Sequence, residues 1–209
     1  GPGADTHFGG SGFDFASYES SATAVVASLS NPAFNTGDAS GDTYLGVEGL
    51  IGTPFNDALI GDGIGNELRG RGGNDLLAGM GGNDRALLGG AGNDTFAFAR
   101  GFDSDTIFDW QDGKLFNDVI SFEGMGISMA QLSITYSGGN ATVTVIPTGD
   151  EIHILGAPVG SVAIVAWDPV WPARAWSTVA PTSAAPAMRP STTCTRRVIG
   201  LPLPSPRSR

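Results

Sequence analysis

Oxygen-bearing side chains at a fixed interval are the first feature with chemical content. Asp57, Asn66, Asp75, Asp84 and Asp94 follow one another in nine-residue steps, the last being ten. Each has a glycine five residues before it (Gly52, Gly61, Gly70, Gly79, Gly89) and, two after it, an apolar residue (Leu59, Leu68, Leu77, Ala86, Phe96). The rows read GTPFNDALI, GDGIGNELR, GRGGNDLLA, GMGGNDRAL and GGAGNDTFA. One extra residue precedes Gly89 and lets Leu87 take the inward place of Ala86. Oxygens repeated in this way suit a hard divalent cation, which takes carboxylates and carbonyls as ligands.

The elements that would position them follow from the row. Glycine early in each row permits φ > 0 and a tight turn whose carbonyls face one side. Three residues around the apolar centre make a short strand with one side chain inward. Two rows complete one coil, so alternate rows stack on the same edge at about 4.8 Å. Calcium–oxygen bonds are about 2.3–2.6 Å, so one calcium ion fits between two stacked carboxylates. One edge then stacks Asp57, Asp75 and Asp94, with Asp118 as an extension; the other stacks Glu48, Asn66, Asp84 and Asp105. Ions are expected between Asp57 and Asp75, Asp75 and Asp94, Asn66 and Asp84, and Asp84 and Asp105. Asn66 brings an oxygen without charge, so its site is expected to be the weaker. Carbonyls of the loops complete the shells, from Gly70, Gly72, Gly73, Gly79, Gly81, Gly82, Gly89, Ala91 and Gly92.

Worn rows flank this block. RGFDSDTIF places Asp105 sixth and Ile107 eighth, and GKLFNDVIS does the same with Asp118 and Ile120. Near the start, GGSGFDFAS carries Asp14 sixth, and Asp5 lies nine residues before it. The row of Asp5 lacks its first residue, and no signal peptide or initiator methionine is visible, so the chain is expected to be a piece of a longer one.

The pattern GGxGxDxUx, whole in GGSGFDFAS and GGAGNDTFA, resembles that of the repeats-in-toxin, hemolysin-type calcium-binding proteins. The similarity covers roughly residues 1 to 160, with a spacer between Tyr18 and Glu48. Departures are Asp62, Arg71 and Met80 for the second glycine, Phe55 and Ile64 for the fourth, and Asn66 for aspartate. The resemblance implies an all-β fold, a parallel β-roll (a β-helix-like solenoid) holding several calcium ions, with strands capping its C-terminal end. It also implies export by type I secretion machinery, a secreted, extracellular location, and a place in the C-terminal part of a larger protein. Serralysin-like proteases, lipases and alginate epimerases carry such repeats.

Composition sets outer bounds. The net charge of −10 and pI of about 4.4 argue against nucleic acid. No apolar run is long enough for a membrane helix, and the single cysteine, Cys194, excludes an intramolecular disulfide. The organisation expected is a repeat remnant with strand and loop spacer over 1–51, the calcium-binding rows over 52–97, and degenerate rows with capping strands over 98–160. The segment 161–209 reverses sign, with six arginines against Asp168 alone, and holds eight of the 13 prolines. That density of proline opposes helix and sheet alike, so this tail is expected to be disordered. A frameshift origin and a genuine basic tail for an acidic partner both remain open.

Glycine- and asparagine-rich sequence is commonly linker, but disorder gives no reason for Leu50, Leu59, Leu68 and Leu77 to stand nine apart. Catalytic signals are weak. His7 and His153 are the only histidines, which excludes an HExxH zinc site, and there is no GxSxG elbow. Asp103, Asp109 and Asp112 cluster loosely, as extra ligands or solvated charge. The expected function is therefore a non-enzymatic calcium module that folds outside the cell and stabilises the domain preceding it. The alternatives are the C-terminal domain of a secreted enzyme and a carbohydrate-binding or adhesive module. The latter would need a basic groove, drawn from Arg69, Arg71, Arg85, Arg100 and Lys114.

Overall fold

The computed structural model describes residues 1–110, 118–122 and 127–165, and they are all-β, with helix limited to single 3-10 turns. Four strands precede the main rows: β1 (Thr6–Phe8), β2 (Phe15–Ser17), β3 (Val26–Ser28) and β4 (Thr43–Leu45). The rows supply β5 (Gly49–Ile51), β6 (Ala58–Ile60), β7 (Glu67–Gly72), β8 (Leu76–Ala78), β9 (Ala86–Ala91) and β10 (Thr95–Ala97). The worn rows supply β11 (Ser104–Ile107) and β12 (Val119–Ser121).

Successive rows alternate between two parallel sheets. One runs β11-β9-β7-β5-β2 and the other β12-β10-β8-β6-β3. Register follows the eighth place of each row. Ala16, Leu50, Leu68, Leu87 and Ile107 stack in the first sheet. Ala27, Leu59, Leu77, Phe96 and Ile120 stack in the second. Both stacks belong to one core, in which the leucines, Phe96, Ile107 and Ile120 are fully buried. A one-residue slip would turn every such side chain outward, so burial fixes the register. Leu87, not Ala86, pairs with Leu68, as the extra residue requires.

Past β12 the pattern becomes antiparallel. β13 (Leu132–Ser137) and β14 (Asn140–Val145) form a hairpin around Gly138 and Gly139, both at positive φ. β15 (Glu151–Ile154) returns antiparallel to β14 and joins the first sheet beside β11. β16 (Ile164–Val165) pairs with β12, so the second sheet runs a few residues into the segment read from sequence as tail. The remainder of that tail, with Trp167, Trp171 and Trp176, lies outside the described residues, as do Asp112 and Lys114. Among the described residues no helix is long and apolar enough to cross a membrane.

Candidate metal centre

The loops between strands carry the sixth-place residues, and the expected columns form. Asp57, Asn66, Asp75, Asp84, Asp94, Asp105 and Asp118 are all buried, none more than 3% exposed. On the first edge the backbone N–H of Asp57 donates to Asp75 Oδ1 at 2.8 Å, that of Asp75 to Asp94 Oδ1 at 2.8 Å, and that of Asp94 to Asp118 Oδ1 at 3.0 Å. On the second edge Asn66 N–H donates to Asp84 Oδ1 at 2.8 Å, and Asp84 N–H to Asp105 Oδ1 at 2.9 Å. The Asp14 N–H meets Glu48 Oε2 at 3.0 Å at the head of that column. One oxygen of each carboxylate is thereby committed to the loop of the preceding coil. The sequence reading, with carboxylates facing each other across an ion, left out this backbone tie.

The second oxygen separates the rows into two kinds. Asp57 Oδ2 accepts the Thr53 N–H at 2.5 Å, while its Oδ1 takes the Val25 N–H and the Thr53 hydroxyl at 2.8 and 2.9 Å. Asn66 Oδ1 accepts the Asp62 N–H at 2.8 Å. By contrast, Oδ2 of Asp14, Asp75, Asp84, Asp94 and Asp105 is buried with no hydrogen-bond partner among the described residues. The difference lies in the second residue of each row. Gly10, Arg71, Met80, Gly90 and Gly101 have φ of +94°, +82°, +80°, +96° and +72°, whereas Thr53 and Asp62 keep ordinary backbone. For Arg71 and Met80 this left-handed conformation costs about 1–2 kcal/mol, which marks a position held by its surroundings. Ions at Asp57 and Asn66 were expected from the sequence; the structure has their oxygens already occupied by backbone N–H groups.

The orphaned oxygens of Asp75, Asp84 and Asp94 lie against the first glycine of their own rows. A methyl group built on Gly70 would collide with Asp75 Oδ2 and lie 2.6 Å from the Gly89 carbonyl oxygen. Methyl groups on Gly79 and Gly89 would strike Asp84 and Asp94 in the same way. The later glycines serve a different end. Gly73, Gly82 and Gly92 stand at φ of +108°, +86° and +153°, and each abuts the backbone of the loop before it, at Phe55, Ile64 and Gly73 respectively. Gly72, Gly81 and Ala91 occupy the third places of the same loops. Gly89→Ala is accordingly expected to cost about 1–3 kcal/mol through overpacking against Asp94. Gly63→Ala, in open space at ordinary φ, is expected to leave the thermal midpoint unchanged; equal melting of the two variants would refute the assignment.

Two features escaped the sequence reading. The first is an asparagine ladder at the fifth place: Asn74 N–H donates to Asn56 Oδ1 at 2.7 Å and Asn93 N–H to Asn74 Oδ1 at 2.8 Å. On the other edge Asn83 Oδ1 accepts the Ser104 N–H at 3.1 Å. Side chains thus absorb successive loop N–H groups, which leaves loop carbonyls in excess. The second is a further row, GDASGDTYL over 37–45, hidden by the insertion before it. Asp42 takes the Asp5 N–H at 2.9 Å, but its other oxygen is satisfied by Tyr18 and His7, at 2.8 and 3.1 Å. Burial, with hydrogen bonds to Tyr44 and Asp42, raises the Tyr18 pKa, and this cluster needs no cation.

Burial raises carboxyls of both kinds, Asp57 among them. Burial, then the charges of Asp94 and Asp57, push Asp75 up to about 8. Burial and then Asp109 push Asp94 up to about 6. Asp84 and Asp105 are both raised, by burial first and then by neighbouring carboxylates. No group of three or more His, Cys, Asp or Glu side chains converges among the described residues. A cation here would draw on one carboxylate and several carbonyls, the oxygen-only donor set of a hard ion.

The basic residues are largely spoken for. Arg69 and Arg85 both pair with the buried Glu67 and stack on Phe15 and Phe13, at 4.8 and 3.6 Å. Arg71 pairs with Glu19 at 2.8 Å.

No protein-family profile matches the chain, and no curated protein matches it. Among solved structures the chain is similar to the extracellular lipase LipA from Serratia marcescens, at 16% identity and a TM-score of 0.34. The match covers 78% of this chain and 34% of that one, so the chain spans about a third of the lipase's length. At that level of superposition the likeness shows neither a family nor an activity.

Proposed function

We propose that this chain is a calcium-binding β-roll of the repeats-in-toxin kind, a non-enzymatic module whose folding is coupled to calcium outside the cell. The observation that carries the reading is the set of buried, unpartnered oxygens on Asp75, Asp84, Asp94 and Asp105, each preceded by a left-handed second residue. Burying an ionised oxygen without a partner is costly, and four such costs in register have a common remedy in a bound cation. Asp14 adds a fifth candidate at the N-terminal end. Carbonyls of the following loops, Gly89 at the Asp75 site for one, would complete the shells. Calcium supplies positive charge and tolerates irregular oxygen shells, which magnesium does not. In this reading the module stabilises a secreted protein to which it is joined, with type I export of that protein and a preceding domain as the further expectations.

The alternative of a carbohydrate-binding surface is the weaker one, because Arg69, Arg71 and Arg85 are paired with Glu67 and Glu19. An enzyme would have to lie elsewhere in a longer parent.

Equilibrium dialysis of the full chain against calcium at pH 7.5 is the direct test. Several ions per chain are expected, with dissociation constants on the order of 10⁻⁴–10⁻³ M, the range of extracellular modules. Equimolar magnesium is expected to displace little. A chain that retains no calcium at millimolar concentration would overturn the reading.

A further inference from the structure

Asp109 stands outside every repeat row, yet its carboxylate is built into the last described loop of the first edge. Its Oδ1 accepts the Gly89 N–H at 3.0 Å and its Oδ2 the Gly90 N–H at 2.7 Å. Gly89 is also the glycine against which the unpartnered Asp94 Oδ2 is pressed. Two carboxylates therefore meet at one residue, Asp109 on its N–H and Asp94 against its Cα. Asp94 is 1% exposed, and its Oδ1 faces away, engaged by the Asp75 N–H at 2.8 Å.

The contrast with the neighbouring loop is informative. Above Gly70, the space beside Asp75 Oδ2 is faced by the Gly89 carbonyl oxygen. Above Gly89 the three nearest atoms belong to Asp94, as above Gly79 they belong to Asp84. Asp109 comes in the chain just after β11, as Gly89 comes just after Leu88 of β9. At Gly89 the following coil brings, through Asp109, a second full negative charge. A carboxylate oxygen that takes one N–H retains lone-pair capacity for a cation. Loop sites bind more tightly as their ligands gain charge.

We propose that Asp109 is a calcium ligand recruited from outside the repeats, and that with Asp94 it forms the highest-affinity site of the first edge. This inference rests on the calcium reading above. Asp109 also caps the Gly89 and Gly90 N–H groups at the C-terminal end of the row block.

The test is calorimetric titration of the full chain with calcium, comparing the unmodified protein, Asp109→Asn and Asp103→Asn. Asparagine can still accept one of the two N–H groups, so the loop is kept while the charge is lost. Asp103 is an exposed acid on the second edge whose Oδ2 takes only the Gly82 N–H, at 3.3 Å, and it controls for bulk charge. Expected for Asp109→Asn is loss of the tightest step, about 10- to 100-fold weaker, with later steps retained. An unchanged isotherm, or an equal loss in Asp103→Asn, would overturn the assignment while leaving calcium binding itself intact. Absence of calcium heat in the unmodified protein would instead sink the calcium reading.

A second readout covers a variant that fails to fold. Trp110 follows Asp109 and packs at 6.2 Å from Phe96, so it can sensitise terbium(III) held at this site. The Trp110-dependent emission, defined as the part lost in Trp110→Phe, is expected to saturate with the first equivalent of terbium. Emission that rises only with the last equivalents would contradict the proposal.

Discussion

In chelator at pH 8 the chain is expected to lose most of its β signal, and either calcium or acid is expected to restore it. The calcium arm follows from the orphaned oxygens. The acid arm follows from the direction of the pKa shifts. Asp75 and Asp94 sit at about 8 and about 6 in the fold, against about 3.9 in an unfolded chain. A carboxyl whose folded pKa is raised holds its proton more tightly when folded. Its contribution is fully present below about pH 4 and is lost as pH rises through the folded value. Metal-free stability is therefore expected to fall steadily between about pH 4 and pH 8, the reverse of ordinary acid denaturation. Calcium should abolish most of this slope by taking the place of the protons. Circular dichroism melts in chelator at pH 5, 6.5 and 8, repeated with calcium, measure it. A metal-free midpoint that rises with pH would contradict the electrostatic account.

Asp75→Asn is expected to act in opposite directions under the two conditions. Its Oδ1 would still accept the Asp57 N–H, and its new N–H₂ group would meet the side on which the Gly89 carbonyl lies. A unit of pKa displacement corresponds to about 1.4 kcal/mol, so removing a carboxyl held near 8 should stabilise the chelated protein by several kcal/mol at pH 8. With calcium the same change removes the only charge at that site, and affinity there should fall by roughly tenfold or more. Asp57→Asn should do neither to a comparable degree, because Asp57 already receives three donors, two on Oδ1 and one on Oδ2. Urea unfolding of each variant in chelator and in calcium distinguishes them. Two variants that respond alike would mean that orphaned oxygens do not mark the cation sites.

Much of this was legible in the sequence because side-chain direction repeats with the row. Leu50, Leu59, Leu68 and Leu77 alone give two facing stacks and their register, and the sixth places give both columns. What stayed hidden depends on backbone conformation. Arg71 and Met80 depart from glycine in the sequence, yet their rows are among the three that read as the better calcium loops; the structure keeps both residues left-handed, and their loops retain the open oxygen. The first two rows, with Phe55, Asp62, Ile64 and Asn66 as departures, read as poorer calcium loops; what the sequence does not show is that Thr53 in ordinary backbone turns an N–H onto Asp57. The row at 37–45 was hidden by the insertion before it, which carries the 3-10 turn Pro32–Phe34 and breaks the count of nine. Asp109 belongs to no period, and the sequence offers it only as an extra ligand or solvated charge; its contacts place it on the Gly89 loop.

A stack of near-identical coils has a translational degeneracy: sliding one sheet's strands by a whole coil leaves leucine on leucine and aspartate on aspartate. The extra residue in the row of Gly79 removes it. Because of that residue, Leu87 alone of its strand meets Leu68, and Arg85 is thrown outward onto Glu67 of the coil before and Phe13 of the N-terminal row. A chain slipped by one coil would leave Glu67 buried without Arg85 and Phe13 without its cation. The insertion thus works as an indexing notch, giving a repetitive ladder a single correct alignment.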